Sequence, residues 1–281
     1  MIGTFNRFRW SLIILFLILS ILTALGTKVP FLSSIDPLIL NSVESLIFTI
    51  LIFFIVFLHG IERYGKKGML IFFIITFVVS YFFENLSIQT GFPFGFYHYS
   101  STLGVLTVPL IIVFAYFAMG YLSWMLSNVL TGQYARKLEG KQIFIVPFIA
   151  SFLMVMWDLT LDPVSSTLDA LWVWQTPGVY FGVPISNFFG WFLVVYIFFQ
   201  IFAIYISRYD SISFEKINIL SNKPFWLEAA VLYGIMALGN ILIIISIINA
   251  ITQSMGLVTI FTMIFVAILS LITIINNPEL K

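Results

Sequence analysis

The chain has 281 residues, of which 61% are hydrophobic and only 9% charged, with a formal net charge of +1. A mean hydropathy of +1.09 excludes a soluble domain of this length, which could not cover so much apolar surface with so few charges. The near-neutral balance argues against a nucleic-acid partner, and the lack of cysteine excludes disulfides, thiolate catalysis and cysteine-ligated metal.

A helix needs about 20 apolar residues to cross the hydrocarbon core, within a range of roughly 17 to 25. On that criterion the sequence predicts an all-α, polytopic bundle of eight spans, forming one integral-membrane domain over residues 1–281. The first span, Trp10 to Leu25, follows Arg7 and Arg9 and superficially resembles a secretory leader. It is longer than a usual leader core and no clear small-x-small cleavage pattern follows, so it reads as a span, with a signal anchor as the alternative. The second runs from Val43 to His59, and the third from Met69 to Phe83, where Glu84 closes it. The fourth is Val105 to Leu126, and the fifth is Ile143 to Trp157, closed by Asp158. Phe188 to Ile206, Phe225 to Asn249 and Met255 to Ile275 complete the set. If the spans alternate, every one of the 13 basic residues except Lys28 falls on one side. The positive-inside rule makes that side cytoplasmic, and with it both termini of a protein of the cell membrane.

Two segments, Glu84 to Gly104 and Trp157 to Asn187, fall together on the opposite side, and neither contains a Lys or Arg. Between them they carry Glu84, His98, Asp158, Asp162 and Asp169, set among Trp, Tyr, Phe, Gly and Pro. Acids at membrane depth without a fixed cation are expensive to keep and point to a site. Irregular backbone at that depth must be buried in protein or line a cavity, so helix ends and both loops converge on one pocket.

Asp158 and Asp162 are four residues apart, so on a continuing helix their carboxylates share a face, until Pro163 ends it. Two like charges at close range in an apolar setting do not both ionise readily, and a retained proton is what a general acid requires. The bland alternative is a helix-ending cap at Asp158 and an Asx-type turn at Asp162. Glu84 is either part of the same site or an interfacial carboxylate reaching water. The stretch Gly91-Phe92-Pro93-Phe94-Gly95-Phe96-Tyr97-His98-Tyr99, together with Trp172, Trp174, Tyr180 and Phe181, offers flat apolar walls. Such rings also furnish interfacial belts. One histidine and scattered carboxylates make a weak metal site, with no His-x-x-x-His or Glu-x-x-His pair. No phosphate-cradling glycine loop and no Gly-x-Ser-x-Gly elbow is present.

Several longer strings carry a resemblance: Gly91-Phe92-Pro93-Phe94-Gly95-x-Tyr97-x-Tyr99, Leu103-Gly104, Trp157-Asp158-x-x-x-Asp162-Pro163, Trp172-x-Trp174, and Tyr180-Phe181-Gly182-Val183-Pro184-x-x-Asn187-Phe188-x-Gly190-Trp191. With them the chain resembles the integral-membrane carotenoid biosynthesis proteins, which include carotenoid 1,2-hydratases of the CruF type and archaeal bisanhydrobacterioruberin hydratases. The resemblance implies an enzyme that adds water to the terminal double bond of an acyclic carotenoid, a lipid-soluble polyene reached within the membrane lipids. It leaves the catalytic residues open.

Hydrating such an alkene needs a protonated acid, rings to face the tertiary carbocation, and a water beside a base. The candidates are Asp158 or Asp162 as acid, with Glu84 or the other aspartate as water partner. Phe94, Tyr97, His98, Tyr99, Trp157, Trp172, Trp174, Tyr180, Phe181, Asn187 and Trp191 would form the substrate pocket. The reaction needs no cofactor and no metal, and other membrane enzymes of the pathway are possible partners. Competing readings are a lycopene-cyclase-like enzyme, a proton-coupled transporter using the same acids, and a non-catalytic scaffold for polyene enzymes.

Overall fold

The computed structural model describes residues 2–26, 37–100, 107–209 and 221–281. Lys28, Leu103, Gly104, Val105 and Lys216, on which parts of the sequence reading rest, lie outside the described residues. The fold is all-α with one small ribbon. In chain order it comprises α1 (Ile2–Gly26), α2 (Pro37–Thr90), β1 (Tyr97–Tyr99), α3 (Leu110–Leu130) and α4 (Gln142–Asp162). A π-helical turn (Pro163–Leu168), β2 (Trp172–Trp174), α5 (Ile185–Tyr209), α6 (Lys223–Ser246) and α7 (Ala250–Thr259) follow. A second π turn (Ile260–Ile264) runs on into α8 (Phe265–Asn276).

Among the described residues six helical stretches are long and apolar enough to cross a membrane. The first of them, Leu46–Thr90, is 45 residues long, about twice what one crossing needs. It is in fact two helices meeting at Gly65, whose φ of 71° and ψ of 169° break the helix. A positive φ there favours glycine over any other residue. The halves fold back on each other: Phe53 packs on Phe73 with ring centroids 5.8 Å apart, and Gly60 sits against Met69. Counting these halves separately, adding α1, and taking α7 and α8 as one crossing gives the eight expected spans.

Inner helix α3 is buried almost continuously from Tyr116 to Val129 and is flanked by α2, α4, α6 and α8. Two prolines interrupt α4 and its extension, and each leaves a carbonyl four residues back without its usual donor. For Pro147 that carbonyl is Ile143, and Gln200 Nε2 from α5 donates to it at 3.1 Å. For Pro163 it is Leu159, and the Tyr180 hydroxyl donates to it at 3.1 Å. The lipid-depth backbone is thereby kept satisfied by side chains of neighbouring segments.

Helix boundaries depart from those expected at the acidic ends. The third span does not stop at Phe83; α2 carries on to Thr90, and Glu84 lies well inside it. The fifth does not stop at Trp157; α4 continues through Asp158 to Asp162 and then into the π turn. Polar residues end an apolar run but not a helix when protein rather than lipid surrounds them. Part of the two loops is regular, β1 pairing antiparallel with β2 in the register Tyr97 to Trp174 and Tyr99 to Trp172.

The basic end is also less exposed than loop charges would be. Arg9 and Arg63 are fully buried because α1 begins before Arg9 and α2 passes through Arg63. Arg9 Nε donates to Glu228 at 2.6 Å and its guanidinium also pairs with Glu62. Arg63 reaches Asn128 at 3.0 Å and lies over the Trp226 ring. His59 contacts the Tyr121 hydroxyl and the Phe225 carbonyl, each at 2.7 Å.

Gly190 marks where α5 meets the turn before β1. A Cβ there would lie 2.8 Å from both the Pro93 carbonyl oxygen and the Phe94 ring, closer than the turn tolerates. Gly190→Ala is expected to destabilise the protein by about 1–3 kcal/mol through overpacking, read as a lowered unfolding midpoint in detergent. Gly239→Ala, with open space around it, should leave the midpoint unchanged or slightly raised.

Candidate functional site

Three elements of the sequence converge at the end of the bundle opposite Arg9 and Arg63. Glu84 is 3% exposed in the second half of α2, and three phenols donate to its carboxylate. The Tyr97 hydroxyl bonds to Oε2, Tyr99 reaches Oε2 at 2.8 Å, and Tyr116 reaches Oε1 at 2.8 Å. Burial, reinforced by the nearby Glu84 carboxylate, holds the Tyr97 and Tyr99 phenols well above the usual tyrosine range. Both therefore stay protonated and act as donors.

Asp158 and Asp162, one helical turn apart on α4, are buried side by side. Asn187, from the first turn of α5, bridges them: its Nδ2 donates to Asp158 Oδ2 at 2.9 Å and to Asp162 Oδ2 at 2.6 Å. Trp172 Nε1 adds a bond to Asp162 Oδ1 at 2.7 Å. Asp162 thus accepts on both oxygens, whereas among the described residues only Asn187 donates to Asp158.

The ribbon explains which aromatic side chains face the acids. Successive strand residues point to opposite faces, and directly paired residues share one. Tyr97, Tyr99, Trp172 and Trp174 accordingly line one side, with Tyr97 packed on Trp174 at 5.0 Å. Trp191 completes the wall, stacked on Tyr116 at 4.4 Å and edge-on to Trp157 at 6.0 Å. Together these groups enclose a cavity of about 400 Å³. Its lining holds Glu84, Asp158, Asp162 and Asp169, and no Lys, Arg or His among the described residues. An apolar arm of the lining is made by Phe16 of α1, Phe48 of α2, Ile112 of α3 and Met236 of α6.

Glu84, Asp158, Asp162, Phe94, Tyr97, Tyr99, Trp157, Trp172, Trp174, Asn187 and Trp191 all line this cavity, and three expected pocket residues do not. His98 lies between two inward tyrosines, so the strand alternation turns it outward, where it is exposed. Tyr180 uses its hydroxyl on the carbonyl that Pro163 leaves free. Phe181 takes a left-handed turn with φ 51° and packs on Tyr180. The Asx-type turn considered at Asp162 gives way to the π turn, with Ser166 donating to the Asp162 carbonyl at 2.7 Å.

Sequence reasoning missed Tyr116, hidden inside an apolar span that also holds Tyr121; a phenol in such a run was the available signal. It also missed Asn240, which lines the cavity and donates to Thr160 Oγ1 at 2.7 Å.

The arrangement defines a class: an integral membrane protein of helices, with paired carboxylic acids held in an aromatic-walled cavity that has no cation among the described residues. Residues 44–271 match the carotenoid biosynthesis protein family, and the chain belongs to that family. It is similar to the bisanhydrobacterioruberin hydratase of Haloarcula japonica, with 29% identity over 117 residues. That match covers 41% of this chain and 38% of the relative, so it spans well under half of either protein. No solved structure matches the chain.

Proposed function

We propose that the protein is a cofactor-independent hydratase that adds water across the terminal double bond of an acyclic carotenoid such as lycopene. The observation that carries this reading is the Asp158–Asn187–Asp162 bridge facing an aromatic-walled cavity. Asp162, with donors on both oxygens, is the better-supported anion, so Asp158 holds the proton of the pair. Asp158 delivers that proton to the less substituted alkene carbon, and the adjacent carbon becomes a tertiary cation. Ring faces of Trp157, Trp172 and Trp191 and the carboxylate of Glu84 stabilise the positive charge. Water then forms the new C–O bond and yields its proton to Asp162. The apolar arm receives the neighbouring part of the polyene, which enters laterally from the bilayer of the cell membrane, with the site on the outer side.

The test is expression of the full chain in a lycopene-producing host, followed by mass analysis of the pigments. Products heavier by one or two waters are expected. An unchanged mass with an altered absorption spectrum would replace hydration by cyclisation, and untouched lycopene beside protein present in the membrane would reject this substrate.

A further inference from the structure

Trp172 and Trp174 sit two residues apart on β2 and face the same cavity, but their indole N–H groups differ. That of Trp172 is committed to Asp162 Oδ1. That of Trp174 is buried, in a residue only 7% exposed, and has no hydrogen-bond partner among the described residues. A buried donor left unpaired costs about 1–3 kcal/mol, so a site that retains one calls for an explanation. Asp162 lines the same cavity, and the Trp174 N–H makes no bond to it within hydrogen-bond geometry. A buried donor and a carboxylate that face one cavity can share a bridging water.

We propose that the Trp174 N–H and the Asp162 carboxylate together hold the water that captures the carbocation, an inference that rests on the hydratase reading above. The N–H occupies one lone pair of the water oxygen, and one of its O–H bonds points to Asp162. The second lone pair stays free to attack. As the C–O bond forms, that O–H bond breaks and its proton passes to the Asp162 carboxylate. Trp174 therefore determines the fate of the cation rather than its formation. Without a placed water the cation loses a proton and returns to alkene.

That fate is measurable with membranes containing the full chain, incubated with lycopene-loaded phospholipid vesicles in deuterium oxide. Hydrated product reports capture, and deuterium in recovered lycopene reports cations that reverted. In Trp174→Phe, present at the wild-type level, the ratio of hydrate to deuterated lycopene is expected to fall about tenfold, the loss of one hydrogen bond. Trp174→His, which restores an N–H, should regain part of the ratio. A wild-type ratio in Trp174→Phe would overturn the proposal, as would a parallel loss of hydrate and deuterium, which would place Trp174 before the cation. Failure of the hydratase reading looks different: the wild type itself would form no hydrate.

Discussion

Asp158→Asn is expected to lower carotenoid hydration by about 10³-fold, the middle of the range for losing a general acid. The substitution keeps the size of the side chain and a hydrogen-bonding oxygen for Asn187, whose 2.9 Å bond to Oδ2 otherwise holds the carboxyl in place. What disappears is the proton, and with it the cation. Deuterium entry into recovered lycopene should vanish along with the hydrate. Asp162→Asn gives a different pattern, because the acid remains and the water's proton acceptor is gone. Hydration should drop about 10²-fold while deuterium still enters the substrate. If Asp162→Asn abolished deuterium entry and Asp158→Asn preserved it, the roles of the two aspartates would be exchanged. If both variants made product at the wild-type rate, neither aspartate would be catalytic.

The eight spans were legible because lipid imposes a length on apolar runs, and no tertiary knowledge is needed to read it. The same yardstick failed where helices leave lipid and enter protein. After Glu84 the residues Asn85, Ser87, Gln89 and Thr90 look like a loop, yet the helix continues, because Ser87 and its neighbours are held against the turn before β1. The acids could be singled out from sequence because nothing in an apolar span otherwise explains them. Their partners could not be, since Tyr116 reaches Glu84 across 32 residues and Asn187 reaches the aspartates across at least 25. A one-residue step on a strand decides that Tyr97 and Tyr99 enter the cavity and His98 does not, and only the pairing of β1 with β2 fixes that phase. Tyr180 is the clearest case of chemistry diverted to structure. Its ring was expected in the pocket wall, and its hydroxyl serves the Leu159 carbonyl that Pro163 leaves without its donor.

Arg9→Met is expected to destabilise the protein by about 3–5 kcal/mol, because breaking a buried ion pair strands its partner. Arg9 is fully buried on α1, outside the residues that match the family, and it ties α1 to both Glu228 of α6 and Glu62 of α2. Without it, two carboxylates are left close together in a low-dielectric interior with their shared cation gone. Replacing both acids as well, in Arg9→Met with Glu62→Gln and Glu228→Gln, should recover most of the loss, since an amide needs no counter-charge. Arg7→Met, on an exposed side chain, should change stability by no more than about 0.5 kcal/mol. Unfolding midpoints in detergent rank the variants. The effect should also reach the distant site, because Phe16 of the same helix lines the apolar arm of the cavity. A loosened α1 would open that arm to lipid, so Arg9→Met protein that remains folded should bind lycopene more weakly while its acid pair stays intact. Unchanged stability in Arg9→Met would mean that α1 is held by packing alone, through contacts such as Phe16 on Phe48 at 5.5 Å.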